Sequence, residues 1–361
     1  MWRTLQRVLG ICAALVLATF SVATNASADQ SNRGKGVIKV LTYNVYEGTD
    51  FEEVLGAQTF PEFLEGVQLA LNNVKATNPP LRMRAIAHQI AITQPDLVGL
   101  EEVTTWRVGP GPNPSAVAFD MLQELLDALA AQGQHYVPVV VVHGFDIQAP
   151  LPDLTTFVEA TDSDVILARS DENLHFSNTQ TAPFSTQLTV PTFVGPVTIV
   201  EGWAAVDVTF REQSLRFVIT HLQPFAPQAP VTLQIQEAQA AELVLGPANT
   251  ALPVIIAGDF NADASHPLDP TFATYQEMIS FGFDDSWAAT HPNELGFTCC
   301  QLADLSNMVS TLSQRIDFIF FRGQIRPLSS RLAAAETHER IDGLWPSDHA
   351  GVRATLLAGV H

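Results

Sequence analysis

Cysteine is nearly absent from this chain: Cys12, Cys299 and Cys300 are all it has in 361 residues. A framework of several disulfides is excluded, so packing has to hold the core. With no CxxC spacing, the neighbours Cys299 and Cys300 make a poor zinc site. They can form a vicinal disulfide, stay as free thiols or bridge two molecules. Basic charge is scarce too, 18 Lys and Arg against 38 Asp and Glu, for a formal net charge of −20. That balance disfavours loose adhesion to nucleic acid or to an anionic membrane, which draws on basic side chains. It leaves a local pocket holding a divalent cation untouched. Long apolar runs are missing apart from Val8 to Phe20, which falls short of the roughly 20 residues of a spanning helix. Arg3 and Arg7 precede that run and Ala26-Ser-Ala28 follows it, the layout of a secretory leader over residues 1–28, cut after Ala28. Bulky Ile11 speaks against a lipid anchor at Cys12. Losing the leader removes two arginines and no acid, which takes the formal charge to −22. No Gly/Ser linker, repeat or low-complexity tract divides residues 29–361. One domain is expected there, a monomer without stable membrane insertion, extracellular, or periplasmic where the source has an outer membrane.

Apolar, strand-forming runs are present in number, and several end in groups a buried sheet does not want. Pro253-Val-Ile-Ile-Ala-Gly-Asp-Phe-Asn-Ala262, Gln314-Arg-Ile-Asp-Phe-Ile-Phe-Phe321 and Trp345-Pro-Ser-Asp-His-Ala350 each carry acid, amide or imidazole to the edge of such a run. Unpaired buried carboxylates are costly, so sets of them beside strands point to one polar pocket, and a metal ion there would offset their repulsion.

The pattern predicts strands over Val37–Val45, Asp96–Val103, Tyr136–His143, Asp164–Ala168, Val194–Phe210, Leu215–His221, Pro253–Asp259, Asp317–Phe321 and Gly351–Leu357. It predicts helices around Pro61–Val74, over Arg82–Thr93, from an N-cap at Ser115 to a stop at Gly133, and over Val231–Leu245. Pro110–Pro114 and Gln148–Asp153 read as loops. Strands and helices mix without strict alternation, which favours an α/β fold of two mixed sheets packed face to face with outer helices over a doubly wound parallel sheet.

Five blocks in order resemble the endonuclease/exonuclease/phosphatase superfamily of metal-dependent phosphoesterases, the deoxyribonuclease I-like proteins. They are Leu41-Thr-Tyr-Asn-Val45, Pro95-Asp-Leu-Val-Gly-Leu-Glu-Glu-Val103, Ile219-Thr-His-Leu222 and the late segments around Asp259 and Asp317 to His349. Any one alone is a weak match; the ordered set is specific. The resemblance implies a four-layer α/β sandwich with the site at one end between the sheets. It also implies divalent metal, Mg2+ or Mn2+, held by Asn44 and Glu102 with help from Asp348, an oxygen set that suits a hard cation. Glu101, the neighbouring acid, is expected on the opposite strand face. Asp259 would ready the attacking water, Asn261 and His221 would contact phosphate, and Asp317 would orient His349. Phe260 is expected to turn toward the core.

The other histidines fit no block and read as structural or surface residues. Arg169 is balanced between a phosphate contact and a plain strand end, and Gly296–Gln301 between a substrate-side loop and a structural turn. The Glu101-Glu102 pair departs from the Gln-Glu of many relatives, and no basic, aromatic stripe marks a polynucleotide groove. A secreted phosphodiesterase acting on a small or lipid-derived substrate, such as a phospholipid headgroup, is therefore favoured. The alternative is an extracellular endonuclease on DNA or RNA, its track built from Arg107, Arg169 and Arg322. An alternative of another class is a catalytically silent binding or toxin-like module.

Overall fold

A computed structural model of the protein describes residues 36–170 and 173–359. The leader, Cys12 and His361 lie outside them. Along the chain run β1 (Val37–Asn44), α1 (Glu52–Leu55), α2 (Phe60–Thr77), α3 (Pro79–Thr93), β2 (Leu97–Glu101), β3 (Thr105–Pro110), β4 (Val117–Asp120), α4 (Met121–Ala131), β5 (Tyr136–Pro150) and β6 (Thr156–Arg169). The second half has β7 (His175–Pro183), β8 (Leu188–Thr192), β9 (Gly195–Ile199), β10 (Gly202–Phe210), β11 (Gln213–His221), α5 (Val231–Leu245), β12 (Val254–Asp259), α6 (Phe272–Ser280), β13 (Asp284–Asp285), α7 (Ser286–Thr290), β14 (Asp317–Arg322), β15 (Ile325–Ala333) and β16 (Gly351–Ala358).

Local chemistry sets the helix ends. Thr59 caps α2 by accepting from the Glu62 amide, and Pro61 fits its first turn. Asn78, in a left-handed conformation, ends α2 and caps α3 by accepting from Leu81 N. One residue thus turns the chain between two helices whose apolar faces, Phe63, Val67 and Leu71 then Met83, Ile86 and Ile90, bury against the same sheet.

That sheet has the order β15-β16-β1-β2-β6-β3-β4, with β5 also paired to β6; a second sheet has the order β13-β14-β12-β11-β10-β7, and β8 pairs β9 as a separate hairpin. Parallel and antiparallel pairs occur in both large sheets. Between the sheets lies an apolar layer including Ile38, Val40, Leu97, Phe217, Ile255, Ile319 and Leu356. Helices α2, α3 and α4 cover the outer face of the first sheet, and α5 and α6 cover that of the second with Leu243, Val244 and Met278. This is the expected four-layer sandwich. Among the described residues no helix is long and apolar enough to cross a membrane.

Some boundaries differ from the sequence reading. Val117, Phe119 and Asp120 pair with β3 rather than opening a helix at Ser115, and the Asp120 carboxylate caps α4 by accepting from Gln123 N. The loop expected from Gln148 starts within β5, because β6 pairs with it through Pro150. The run from Val194 to Phe210 splits into β9 and β10. Strands β7, β8 and β15 have mixed, half-exposed patterns and carried no signal strong enough to predict.

Close approach of the sheets is what makes one end a site. A Cβ at Gly99 would lie 2.7 Å from Ile219 Cγ2 of the facing sheet. Gly258, at φ +152°, would drive a Cβ into the Thr220 carbonyl of its neighbouring strand. Only glycine fits there, immediately before Asp259.

Candidate functional site

Register brings the polar strand ends together. In the second sheet His221 pairs with Asp259, and Asp259 with Asp317, so three chemical groups sit side by side across β11, β12 and β14. In the first sheet Asn44 pairs with Glu101 at the ends of β1 and β2. The two rows face one another: Asn44 Nδ2 donates to Glu102 Oε1 at 2.7 Å and to Asp259 Oδ2 of the other sheet at 3.1 Å.

Each expected residue has a defined place. Glu102 takes a left-handed backbone, φ +61°, which swings it out of line with β2; its Oε2 accepts from the Glu47 amide at 3.0 Å. Asn261, φ +50°, donates its amide N–H to Asp259 Oδ1 at 2.8 Å, and its side-chain nitrogen lies 3.2 Å from His221 Nε2. Strain of this kind on non-glycine residues concentrates at functional sites. His349 Nδ1 lies 2.9 Å from Asp317 Oδ2, and the Nε2 atoms of His221 and His349 are each 3.7 Å from Asp259 Oδ2. Phe260 is fully buried between Phe318 and Phe320, as alternation predicts.

Asp348 is half-buried beside His349, and Ser347 fixes the segment by donating to the Asn44 carbonyl at 2.7 Å. Among the described residues, the acid and imidazole atoms that cluster within 4.8 Å belong to Asp259, Asp317 and His349. That group could hold a metal, although the imidazole Nδ1 of His349 is already committed to Asp317. The surplus of carboxylate oxygen from Glu102, Asp259, Asp317 and Asp348 over local cations fits a hard divalent ion.

Burial shapes the charges. Asp259 is pushed up to about 6 by burial and then by the Asp317 carboxylate. For His221 and His349 burial alone would lower the pKa, but Glu201 and Asp259 around the first ring, and Asp317 and Asp348 around the second, outweigh it and hold both well above the ordinary value. The direction favours the protonated form, in which both rings donate.

Glu101 is not turned away from the site. It is buried between the sheets, its Oε1 accepting from Thr42 Oγ1 at 2.9 Å while Oε2 has no hydrogen-bond partner among the described residues. Burial, then the Asp317 carboxylate, push it up to about 8. Glu101 shares the face of Gly99 that looks into the gap between the sheets, and the left-handed turn at Glu102 lets the neighbouring acid reach the site end as well. A consequence follows for stability. The unfolded carboxyl ionises near 4.3, so between there and about 8 the folded state holds more protons and stability falls as pH rises. In metal-free protein, Glu101→Gln is expected to raise Tm at pH 8 by a few degrees and to leave it nearly unchanged at pH 4.5. Thermal melts at both pH values check this, and an equal shift at both would refute the assignment.

Other groups went unnoticed in the sequence. Arg82 is fully buried on α3 and its guanidinium donates to the carbonyls of Thr77, Val45, Tyr46 and Pro346, tying together the loops that follow Asn44 and precede Asp348. Its signal was a lone cation in helical step with Ile86 and Ile90 on an apolar face. Glu201 lies 3.7 Å from His221 Nδ1, and Asp162 and Asp164 are buried nearby; burial raises Asp162 to about 7 and Asp164 well above the ordinary range. Those aspartates stood at the edge of Val-Ile-Leu-Ala, the same kind of signal as the late segments.

The remaining readings resolve as structure. Arg169 pairs with Asp96 at 2.8 Å, at the end of β2 away from Glu101, so it makes no phosphate contact. Arg107 pairs with Glu159, and Arg322 donates to the Ala248 carbonyl and stacks over Phe283. These arginines are separated and locally engaged, and they form no track. Cys299 and Cys300 are joined as a vicinal disulfide. Their segment is scaffold: Thr298 Oγ1 accepts from Asp317 N at 3.2 Å, and Cys299 bridges to His349.

The sequence profile of the Endonuclease/Exonuclease/phosphatase family matches residues 41–349. No curated relative matches the chain. Among solved structures, an endonuclease/exonuclease/phosphatase from Beutenbergia cavernae DSM 12333 is similar at TM-score 0.57 with 19% identity, over 90% of this chain and 72% of that one. A family protein from Leptotrichia buccalis C-1013-b is similar at TM-score 0.54 with 16% identity, over 88% of this chain and 99% of that one. D. rerio TDP2 in complex with a single-strand DNA product is similar at TM-score 0.52 with 19% identity, over 89% of this chain and 98% of that one. At these identities the likeness is one of fold.

Proposed function

Because the chain belongs to the endonuclease/exonuclease/phosphatase family and is a hydrolase of phosphoester bonds, we propose that it is an exported, magnesium- or manganese-dependent phosphodiesterase acting on a small or lipid-derived substrate. The observation that carries this is the meeting of Asn44, Glu102, His221, Asp259, Asn261, Asp317 and His349 at one end of the sandwich, linked across the sheets by the Asn44 amide. Asn44, Glu102 and Asp348 are the residues that would hold the ion. When bound, a divalent ion neutralises charge on the phosphoryl oxygens and acidifies water.

The chain's own groups do the rest. Asp259, with a pKa near working pH, accepts the proton of the attacking water. Its Oδ1 bond to the Asn261 amide fixes the carboxylate, leaving Oδ2 toward the pocket. His221 and the Asn261 side-chain amide donate to nonbridging oxygens of the phosphoryl group, and Nε2 of His349 donates where charge develops in the transition state. Asp317 holds that ring through Nδ1.

Acidity and dispersed arginines support the small or lipid-derived substrate. The DNA product bound by D. rerio TDP2 keeps an extracellular endonuclease as the alternative. A panel of plasmid DNA, single-stranded DNA, RNA, sphingomyelin, phosphatidylinositol phosphates and small phosphodiesters, at equal metal and pH, tests the choice. Cleavage of lipid or small esters is expected to exceed nuclease activity at physiological salt. Efficient DNA cutting with no lipid or small-ester cleavage would reverse the assignment.

A further inference from the structure

Beside the site lies an apolar slot that the chemistry above does not use. It is walled by Phe51 and Val54 at α1, Phe63 and Val67 of α2, Trp106 of β3 and Ile199 of β9, and among the described residues no charged side chain lines it. Past Val54 and Leu55 it continues into a shallower groove under Phe193 and Pro191 of the β8–β9 hairpin. Around the mouth Leu55, Phe60, Phe193 and Val194 are exposed. An apolar slot with an exposed apolar lip marks a binding site.

Both walls are tied to the phosphoester site by short links. Trp106 Nε1 donates to the Glu47 carbonyl at 3.0 Å, and the Glu47 amide donates to Glu102 Oε2 at 3.0 Å. On the other side Ile199 stands two residues before Glu201, whose carboxylate faces His221 Nδ1 at 3.7 Å. The slot therefore lies within reach of a substrate whose phosphorus sits at the site.

Size and charge narrow the occupant. The slot is about 90 Å³, below the roughly 150 Å³ of an apolar cavity that takes a benzene ring. An unbranched chain can run from this narrow part into the groove beyond. The protein's net charge of −20 disfavours a polyanionic headgroup and favours a neutral or cationic one. We propose that the slot binds the hydrocarbon chain of the substrate, which is an amphiphilic phosphodiester with a single unbranched chain and a zwitterionic or singly charged head. This rests on reading the neighbouring site as a phosphodiesterase.

Alkyl p-nitrophenyl phosphates with methyl, butyl, octyl and dodecyl chains, below their micelle concentrations and with magnesium, read the slot and the site separately. kcat/KM is expected to rise roughly threefold to fourfold per methylene until the slot is filled, then level off. Ala149→Phe, which projects a ring from β5 into the slot, should flatten that slope. A second measurement needs no variant: in chelator, an alkyl phosphocholine brominated at the chain end should quench tryptophan fluorescence saturably, and Trp106→Phe should remove most of the quenching. If the methyl ester is cleaved and chain length changes neither rate nor quenching, the slot assignment fails while the phosphodiesterase reading stands. If a slope persists in Ala149→Phe, the chain is held elsewhere and the assignment fails. If no ester is cleaved but the brominated amphiphile still quenches through Trp106, the phosphodiesterase reading fails and the slot stands as a chain-binding site; if neither cleavage nor quenching is seen, the slot assignment fails as well.

Discussion

Asp259→Asn is expected to lower kcat for phosphodiester hydrolysis by about 10²-fold or more while the protein stays folded. The amide is nearly isosteric and can still accept from the Asn261 N–H, the contact that now fixes Oδ1 at 2.8 Å. It cannot take a proton from water. Its NH₂ group would also stand 3.7 Å from two cationic ring nitrogens that now see a carboxylate. His349→Ala should fall by a similar factor, since it removes a donor that Asp317 holds in place. Initial rates with a chromogenic diester, beside circular dichroism of each variant, separate a damaged site from a damaged fold. If both variants turn over near the wild-type rate, the roles assigned to these residues are wrong.

Much of the architecture was legible because buried strands announce themselves. The Pro-Val-Ile-Ile-Ala-Gly and Phe-Ile-Phe-Phe runs could only be interior strands, and they are β12 and β14. Helix α5 was read with both its ends, Val231 and Leu245, as the segment between two predicted strands. Half-exposed strands such as β7 alternate weakly and resemble loops, so they stayed hidden. Val117 to Asp120 shows the competing force: tertiary pairing with β3 overrode a plausible cap at Ser115.

Site residues at strand ends were legible for the same reason, being polar groups where apolar ones belong. What could not be read was anything set by a backbone turn or by distance in sequence. The left-handed turn at Glu102 brings that acid to the site end as well as Glu101. Arg82 serves loops on either side of the site through carbonyls far apart in the chain. Glu201 meets His221 only because β10 and β11 pair.

Metal removal is expected to have the largest effect of all. Glu102, Asp259, Asp317 and Asp348 gather around a space where the nearby cations among the described residues are the imidazoles of His221 and His349, with Arg82 behind Asp348. Burial already pushes Asp259 and Asp348 up to about 6 each, so a negative phosphate would enter against uncompensated carboxylates. A divalent ion offsets that repulsion, and without it binding and turnover should both collapse. The most direct test is hydrolysis of bis(p-nitrophenyl) phosphate by purified protein, first stripped with chelator and then titrated with magnesium or manganese. The expected result is loss of at least about 10²-fold in rate on stripping, recovery on titration, and a Glu102→Gln protein that needs more metal for half its maximal rate. Unchanged turnover in excess chelator would contradict the account.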